Sequence, residues 1–304
     1  MDFGRLPNVD NINFALPKDD KGTERLWSKL KKSDLTPQVY VGCPVWGQKE
    51  WVGKIYPANT KEKDFLKHYT RQFNSIELNA THYRIPGEAT IRNWKAAAEK
   101  GFKFCPKIPQ EISHQKQLQN CYDLTTVFCN MISGLEDHLG LTFLQLSPAF
   151  SPQKISVLEN YLNQFPKDIP LAVELRHEGW FNNREIFNRV FDLLESKNIS
   201  SVITDVAGRR DVLHQRLTTS TAFVRFTAND LHVSDFERMN HWVDRIKSWL
   251  DKGIQTVYFF VHTPTKSLNP ELVNYMIDRL NVLCNLSLSR CKIAIAEGQQ
   301  NLFQ

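Results

Sequence analysis

Residues 75 to 84 read SIELNATHYR, where apolar Ile76 and Leu78 alternate with polar Glu77 and Asn79. On a strand, that alternation gathers the carboxylate and the amide on one face and leaves the aliphatic pair for the other. The same kind of residue closes other short runs. Lys107 lies near the end of FKFCPKI, Gln145 of LTFLQL, and Glu174 and Arg176 of LAVELR with His177 beyond. Asp205 ends SSVITD, Arg225 lies in FVRFT and His262 ends VYFFVH. Glu77, Lys107, Glu174 and Asp205 are the candidate catalytic groups. Asn79, Tyr83, Gln145, Arg176, His177 and Arg225 are candidates for holding a substrate. This set suits a small anionic or polyhydroxylated metabolite: Arg176, Arg225, Arg209 and Arg210 would bind the anion while Glu77 or Glu174 moves a proton. Lys107, desolvated near other cations, would act as a base or form an imine.

Eight runs rich in β-branched and aromatic residues can position these groups: 39–43, 75–79, 102–108, 141–146, 171–176, 200–205, 223–227 and 257–262. Helical stretches fill most of the gaps, with Asp123, Asn182 and Asn269 at expected N-cap positions and Pro270 at a first helical position. The weakest gap is VAGRRDVLHQRLTTS, between the sixth and seventh runs. Strands alternating with crossovers predict an α/β fold, a TIM-type (β/α)8 barrel whose functional face is built at the C-terminal ends of the strands. A doubly wound open sheet is the rival. It would show a glycine-rich phosphate loop after its first strand, and GCPVWGQKEW contains neither GxGxxG nor GKS/T. Residues 1–38 read as an N-terminal extension with an amphipathic helix (Leu26, Trp27, Leu30 apolar) that plugs or flanks the barrel domain of residues 39–304.

A structural reading competes with the catalytic one. Glu77 could pair with Lys107, and Glu174 with Arg225 or Arg176, in an ion-pair network that only closes the barrel. His114 and His262, taken singly, read as satisfied histidines, and Trp46, Trp51, Trp180 and Phe181 as core or rim. Two other function classes are open. Glu77, Glu174, His177 and Asp205 could ligate a divalent metal, but Lys107 and two arginines at the same mouth would repel it, so no metal or other cofactor is expected. Nucleic acid could stack on the tryptophans. Its phosphates would call for runs of basic residues, and here the basic residues are dispersed.

The bulk properties agree with a small-molecule partner. The chain has 304 residues, 41% of them hydrophobic, and a net charge of +5 from 38 basic against 33 acidic residues. That mild excess suits an anionic ligand. No apolar run approaches a membrane span, the first residues lack the pattern of a signal peptide, and the six cysteines lack zinc spacing. The expectation is a cytoplasmic protein with reduced thiols and no membrane partner.

The ordered motifs GCPVWGQKEWVGKIYP, FNSIELNATHYR, FCPKIPQEISH, LQLSPAF, VELRHEGWF and ITDVAGR resemble the YecE-like family, domain of unknown function 72, over roughly residues 39 to 265. The resemblance implies a TIM barrel. Its recurrent polar positions correspond to Glu77, Asn79, Thr81, Tyr83, Lys107, His114, Gln145, Glu174, Arg176, His177, Asp205 and Arg225, which adds His114 to the substrate-binding candidates. The sequence departs from the family where a His-Gly pair often follows strand seven and asparagines often end strand eight; here stand Thr227 and Ala228, then His262 and Thr263.

Overall fold

The β-branched and aromatic runs all become strands in the computed structural model, which describes residues 4–30 and 36–294. They are β1 (Gln38–Cys43), β2 (Ser75–Leu78), β3 (Lys103–Pro106), β4 (Thr142–Gln145), β5 (Leu171–Glu174), β6 (Ser200–Asp205), β7 (Thr221–Thr227) and β8 (Thr256–His262). Their pairings are parallel, in the order β3-β2-β1-β8-β7-β6-β5-β4. Isolated bridges from Phe104 to Leu139 and from Lys107 to Phe143 join the two ends of the sheet, so it curls into the TIM-type barrel that the strand count predicts.

The helices are α1 (Lys21–Trp27), α2 (Phe65–Tyr69), α3 (Ala80–Tyr83), α4 (Glu88–Ala97), α5 (Tyr122–Ser133), α6 (Ile155–Gln164), α7 (Arg184–Ser196), α8 (Val233–Asp251) and α9 (Asn269–Cys284). The helix α7 shows why they form. Phe187, Val190, Phe191 and Leu194 are spaced to bury one face. Its cap is Asn183 rather than the expected Asn182, because the Asn183 side chain accepts from the backbone N–H groups of Glu185 and Ile186. At α5 the N-cap position falls to Cys121, whose side chain makes no capping bond, and Asp123 lies inside the first turn. Asn269 is the first helical residue of α9, with Pro270 beside it, where a missing N–H leaves no bond unmade.

The β6–β7 connection breaks the repeat. It makes 3₁₀ turns over Ala207–Val212 and then runs buried through residues 213–219 without an α-helix. The N-terminal segment covers it. The Thr23 hydroxyl of α1 donates to Gln215 O (2.8 Å) and accepts from Leu217 N (2.8 Å). Arg216, almost fully buried, pairs with Asp20 in front of α1 and with Asp192 and Glu195 of α7. Gly22 permits this contact, since a Cβ there would lie 2.1 Å from Arg216 Nε. On the other side Asp19 accepts from Arg245 Nη1 (2.9 Å) and Trp249 Nε1 (3.0 Å) of α8. Thus α1 sits between α7 and α8, where the crossover helix of a regular repeat would lie. Leu26 is buried there, with Trp27 and Leu30 packed against the same cluster. The amphipathic helix expected to carry Leu26, Trp27 and Leu30 ends at Trp27, and residues 31–35 are outside the described residues.

Among the described residues no helix is long and apolar enough to cross a membrane. All six cysteines are free thiols, five of them buried.

Candidate functional site

The two-residue period of the strands decides what faces the mouth. Cys105, Phe143, Ala172, Val202, Phe223 and Phe260 belong, with Tyr40, Leu141 and Tyr258, to one apolar cluster inside the barrel. Two positions further along each strand stand Lys107, Gln145, Glu174, Thr204, Arg225 and His262, and β2 contributes Glu77. Apolar side chains fill the barrel below, and polar ones cap it at the C-terminal end.

Arg225 is the hub of this polar layer. Its Nε and Nη2 donate to the two carboxylate oxygens of Glu77, both at 2.9 Å. Its Nη1 reaches both oxygens of Glu174, at 3.2 and 3.0 Å. Glu77 also accepts from His262 Nε2 (2.8 Å) and Asn79 Nδ2 (2.9 Å). Glu174 accepts from Arg176 Nε (2.9 Å), Thr204 Oγ1 (2.9 Å) and Gln145 Nε2 (2.8 Å). Glu77 therefore pairs with Arg225 and His262, not with Lys107, while Glu174 takes both of the partners expected for it.

Both carboxylates are held ionised. Burial pushes Glu77 upward, but the charges of Arg225 and then His262 outweigh it and hold the group well below the usual carboxylate range. Burial likewise opposes ionisation of Glu174, and Arg225, Arg176 and the hydrogen bond from Gln145 bring it down to about 2.

Lys107 is placed differently. Its Nζ lies 2.9 Å from Gln145 Oε1 and, among the described residues, forms no ion pair. Since Gln145 Nε2 donates to Glu174, the amide oxygen is the atom that faces the amine. Burial, then the charge of Arg225, lowers Lys107 to about 8, against the opposing pull of Glu77 and Glu174. Near it, His82 donates from Nδ1 to Ile108 O (2.8 Å), and its ring meets that of His114 at 5.2 Å. Burial, then Lys107, lowers both imidazoles, His82 to about 4. His114 rides on a π-helical turn, Glu111–Gln115, directly after β3. Such turns recur at functional sites because they displace one side chain from the helical ladder.

The remaining candidates lie further out. Tyr83 stands 74% exposed on the rim. His177 caps the 3₁₀ turn Glu178–Trp180, accepting from Gly179 N (2.9 Å). Asp205 does not join the mouth. It follows the inward Thr204 and so points outward, where Arg238 Nη2 (2.8 Å), Arg210 and Trp242 Nε1 (2.7 Å) surround it. Arg210 also donates to the carbonyls of Phe14 and Ala15, both at 3.2 Å. Arg209 pairs with Asp211 and donates to Arg176 O (3.1 Å). Trp51 and Trp180 are fully buried in the core.

His262, a strand-end residue expected there as a satisfied histidine, belongs to the mouth, as do Thr204 and His82, which the sequence did not single out. Strand parity marks the first two, once Arg225 and Glu174 are known to point inward. Among the described residues no three His, Cys, Asp or Glu side chains are arranged to hold a metal ion. The oxygens of Glu77 and Glu174 are instead turned toward guanidinium groups.

The sequence matches the DUF72 family, described as a protein of unknown function, over residues 40–290. It is similar to UPF0759 protein YecE of Escherichia coli K12, 30% identical over 260 residues that cover 80% of this chain and 92% of that protein. UPF0759 protein YunF of Bacillus subtilis 168 is 26% identical over 153 residues, covering 47% of this chain and 52% of that one. Among solved structures, a DUF72 family protein from Enterococcus faecalis V583 superposes with a TM-score of 0.65 at 17% identity, covering 83% of this chain and 99% of its own. One from Thermotoga maritima MSB8 gives 0.63 at 23% identity, covering 80% and 99%.

Proposed function

The chain belongs to the DUF72 family, and from that premise we propose that it is an enzyme acting by acid/base chemistry on a small anionic or polyhydroxylated metabolite at the C-terminal mouth of the barrel. One observation carries this reading. The two buried carboxylates are matched by two guanidinium groups, and Lys107 is left beside them as a buried cation without an ion pair among the described residues. A mouth so composed favours a ligand that brings one negative charge.

The charge states divide the roles. Glu174, held down to about 2, and Glu77, held well below the usual carboxylate range, are too weak as bases to work at neutral pH, so both serve as fixed charges, and Arg225 holds them in place. Lys107, near 8, both gains and loses its proton close to neutrality, which is the property a general acid or base requires. Asn79, Gln145, Arg176, His114, His177 and Tyr83 line the approach as the substrate-binding groups. Arg225, counted among them from the sequence, is a positioning residue in this scheme. The reading calls on no metal or cofactor and places the protein in the cytoplasm.

A thermal-shift screen of small phosphorylated, carboxylated and polyhydroxylated metabolites tests it. A ligand at a hundredfold excess over its Kd stabilises the folded state by about 2.7 kcal/mol, which is easily read. At least one anionic compound should raise the Tm of the wild type, and Lys107→Met should abolish the response while remaining folded. A library that leaves the wild type unmoved, or a shift that survives Lys107→Met, would overturn the proposal.

A further inference from the structure

Every other cation at the mouth has a carboxylate. Arg225 has two and Arg176 has one, each bonded at 2.9 to 3.2 Å. Lys107 has the neutral amide of Gln145, which itself is held by Glu174. A lysine kept only to close a barrel would be buried with a counter-ion, because an unpaired buried charge is costly. Its surroundings fit an amine that reacts. The Phe143 ring lies 6.0 Å below Nζ and keeps water from that side, and the residue is only 7% exposed. Gln145 Oε1 accepts one N–H, which fixes how the remaining substituents of nitrogen are turned.

We infer that Lys107 is a nucleophile that forms an imine with a small aldehyde or ketone bearing a phosphate or carboxylate. The inference rests on the proposed site reading and names its substrate class. The step needs no co-reactant. Nζ of the lysine, having released a proton, adds to the carbonyl carbon and forms a C–N bond, while the carbonyl oxygen takes up a proton. That oxygen then leaves as water, carrying a second proton as the C–O bond breaks and the C=N bond forms. From ammonium and carbonyl to protonated imine and water, two hydrogens pass from nitrogen to oxygen and the charge is unchanged. The product keeps one N–H and one positive charge, so both the hydrogen bond to Gln145 and the charge balance with Glu77 and Glu174 survive the reaction. Release of the proton is favoured by the burial and neighbouring charge that already weaken the ammonium. The anionic group of the substrate supplies the counter-charge that the protein withholds from Lys107.

The test traps the adduct on the wild-type full chain. Pyruvate, glyoxylate and dihydroxyacetone phosphate are each incubated with the protein and sodium cyanoborohydride near pH 7.5, and the modified lysines are located by peptide mass mapping. At least one probe should modify Lys107 saturably, at least tenfold faster than an exposed lysine such as Lys49, and Lys107→Arg should lose the adduct. Modification of Lys107 by no probe, or at the rate of the exposed lysines, would refute the imine. The same probes are run in the thermal-shift assay to separate the two ideas. A shift abolished by Lys107→Met with no adduct on wild-type Lys107 would sink the nucleophile and leave the site standing. Neither shift nor adduct would sink both.

Discussion

Replacing Arg225 by methionine removes the cation that two buried carboxylates share and keeps much of the side-chain volume. The magnitude follows from the geometry. Glu77 and Glu174 are 0% and 1% exposed, and Arg225 supplies two hydrogen bonds to each. Burial would raise Glu174, yet Arg225 leads the groups that bring it from 4.5 to about 2. At about 1.4 kcal/mol per pH unit, that displacement corresponds to roughly 3 kcal/mol of stability at neutral pH. Breaking a buried pair by removing one partner costs about 3 to 5 kcal/mol by general experience, which agrees. For a chain this long, about 2 °C of Tm is lost per kcal/mol, so the variant should melt roughly 6 to 10 °C lower at pH 7. The pH dependence should also change sign. In the wild type the folded values of Glu77 and Glu174 are both depressed, so their contribution is present above the usual carboxylate range and is lost as the pH falls below it, for Glu174 toward about 2. Without Arg225, burial dominates and raises the folded values above the unfolded ones. The penalty is then greatest at neutral pH and is relieved on acidification. Thermal unfolding followed by circular dichroism at pH 7, 6 and 5 should show Arg225→Met gaining stability over a range in which these groups leave the wild type flat. A loss below about 1 kcal/mol at pH 7, or a variant that runs parallel to the wild type across that range, would refute the hub assignment.

Two further outcomes are expected. Asp205→Asn should destabilise the protein by about 3 kcal/mol, because fully buried Arg238 loses the nearer of its two carboxylate partners and keeps only Asp235 at 3.4 Å, yet leave any ligand-induced thermal shift intact; a lost ligand response at unchanged Tm would place Asp205 functionally in the mouth after all. Lys107, dimethylated with ¹³C-formaldehyde and followed by NMR, should titrate near 8, where burial and then Arg225 set it, and lower still in Glu174→Gln because the Glu174 charge raises it; a midpoint near 10.5 would remove the basis for both its proposed roles.

The strands were legible because each is a short β-branched or aromatic run bounded by turn residues, and their succession with helices leaves few alternatives to a barrel. The candidate site was legible through the polar residues that end those runs, since an apolar barrel interior makes them conspicuous. Two kinds of information were not local enough to read. The first is pairing. Glu77 and Lys107 lie on adjacent strands and invite each other, but Arg225 of β7, 148 residues further on, reaches Glu77 across the mouth. Which cation crosses depends on side-chain length and on how the inner layer stacks after the sheet curls, and neither is written in the spacing. The second is facing. Asp205 looks like the other strand ends until β6 is read in steps of two from Val202, and then Thr204 is the inward residue and Asp205 must turn to α8. The same step of two leads from Phe260 to His262.

The weak β6–β7 gap holds the remaining lesson. Strand succession alone asks for a crossover helix there, and no amphipathic stretch in VAGRRDVLHQRLTTS can supply one. The buried run 213–219 would then have faced solvent, with Leu213 and Leu217 stripped and Arg216 left without Asp20. The chain supplies the cover from elsewhere, bringing α1 onto this run through Asp20, Gly22, Thr23 and Leu26. The segment leading to α1 meets Asp205 by way of Arg210 and Arg238, each of which has its guanidinium over the Phe14 ring, at 5.4 and 4.7 Å. A carboxylate that faced the mouth could not make those contacts. The outward turn of Asp205 and the docking of the N-terminal segment are therefore one structural solution, in which a strand-end acid that parity removes from the mouth becomes the anchor for the element that replaces the missing helix.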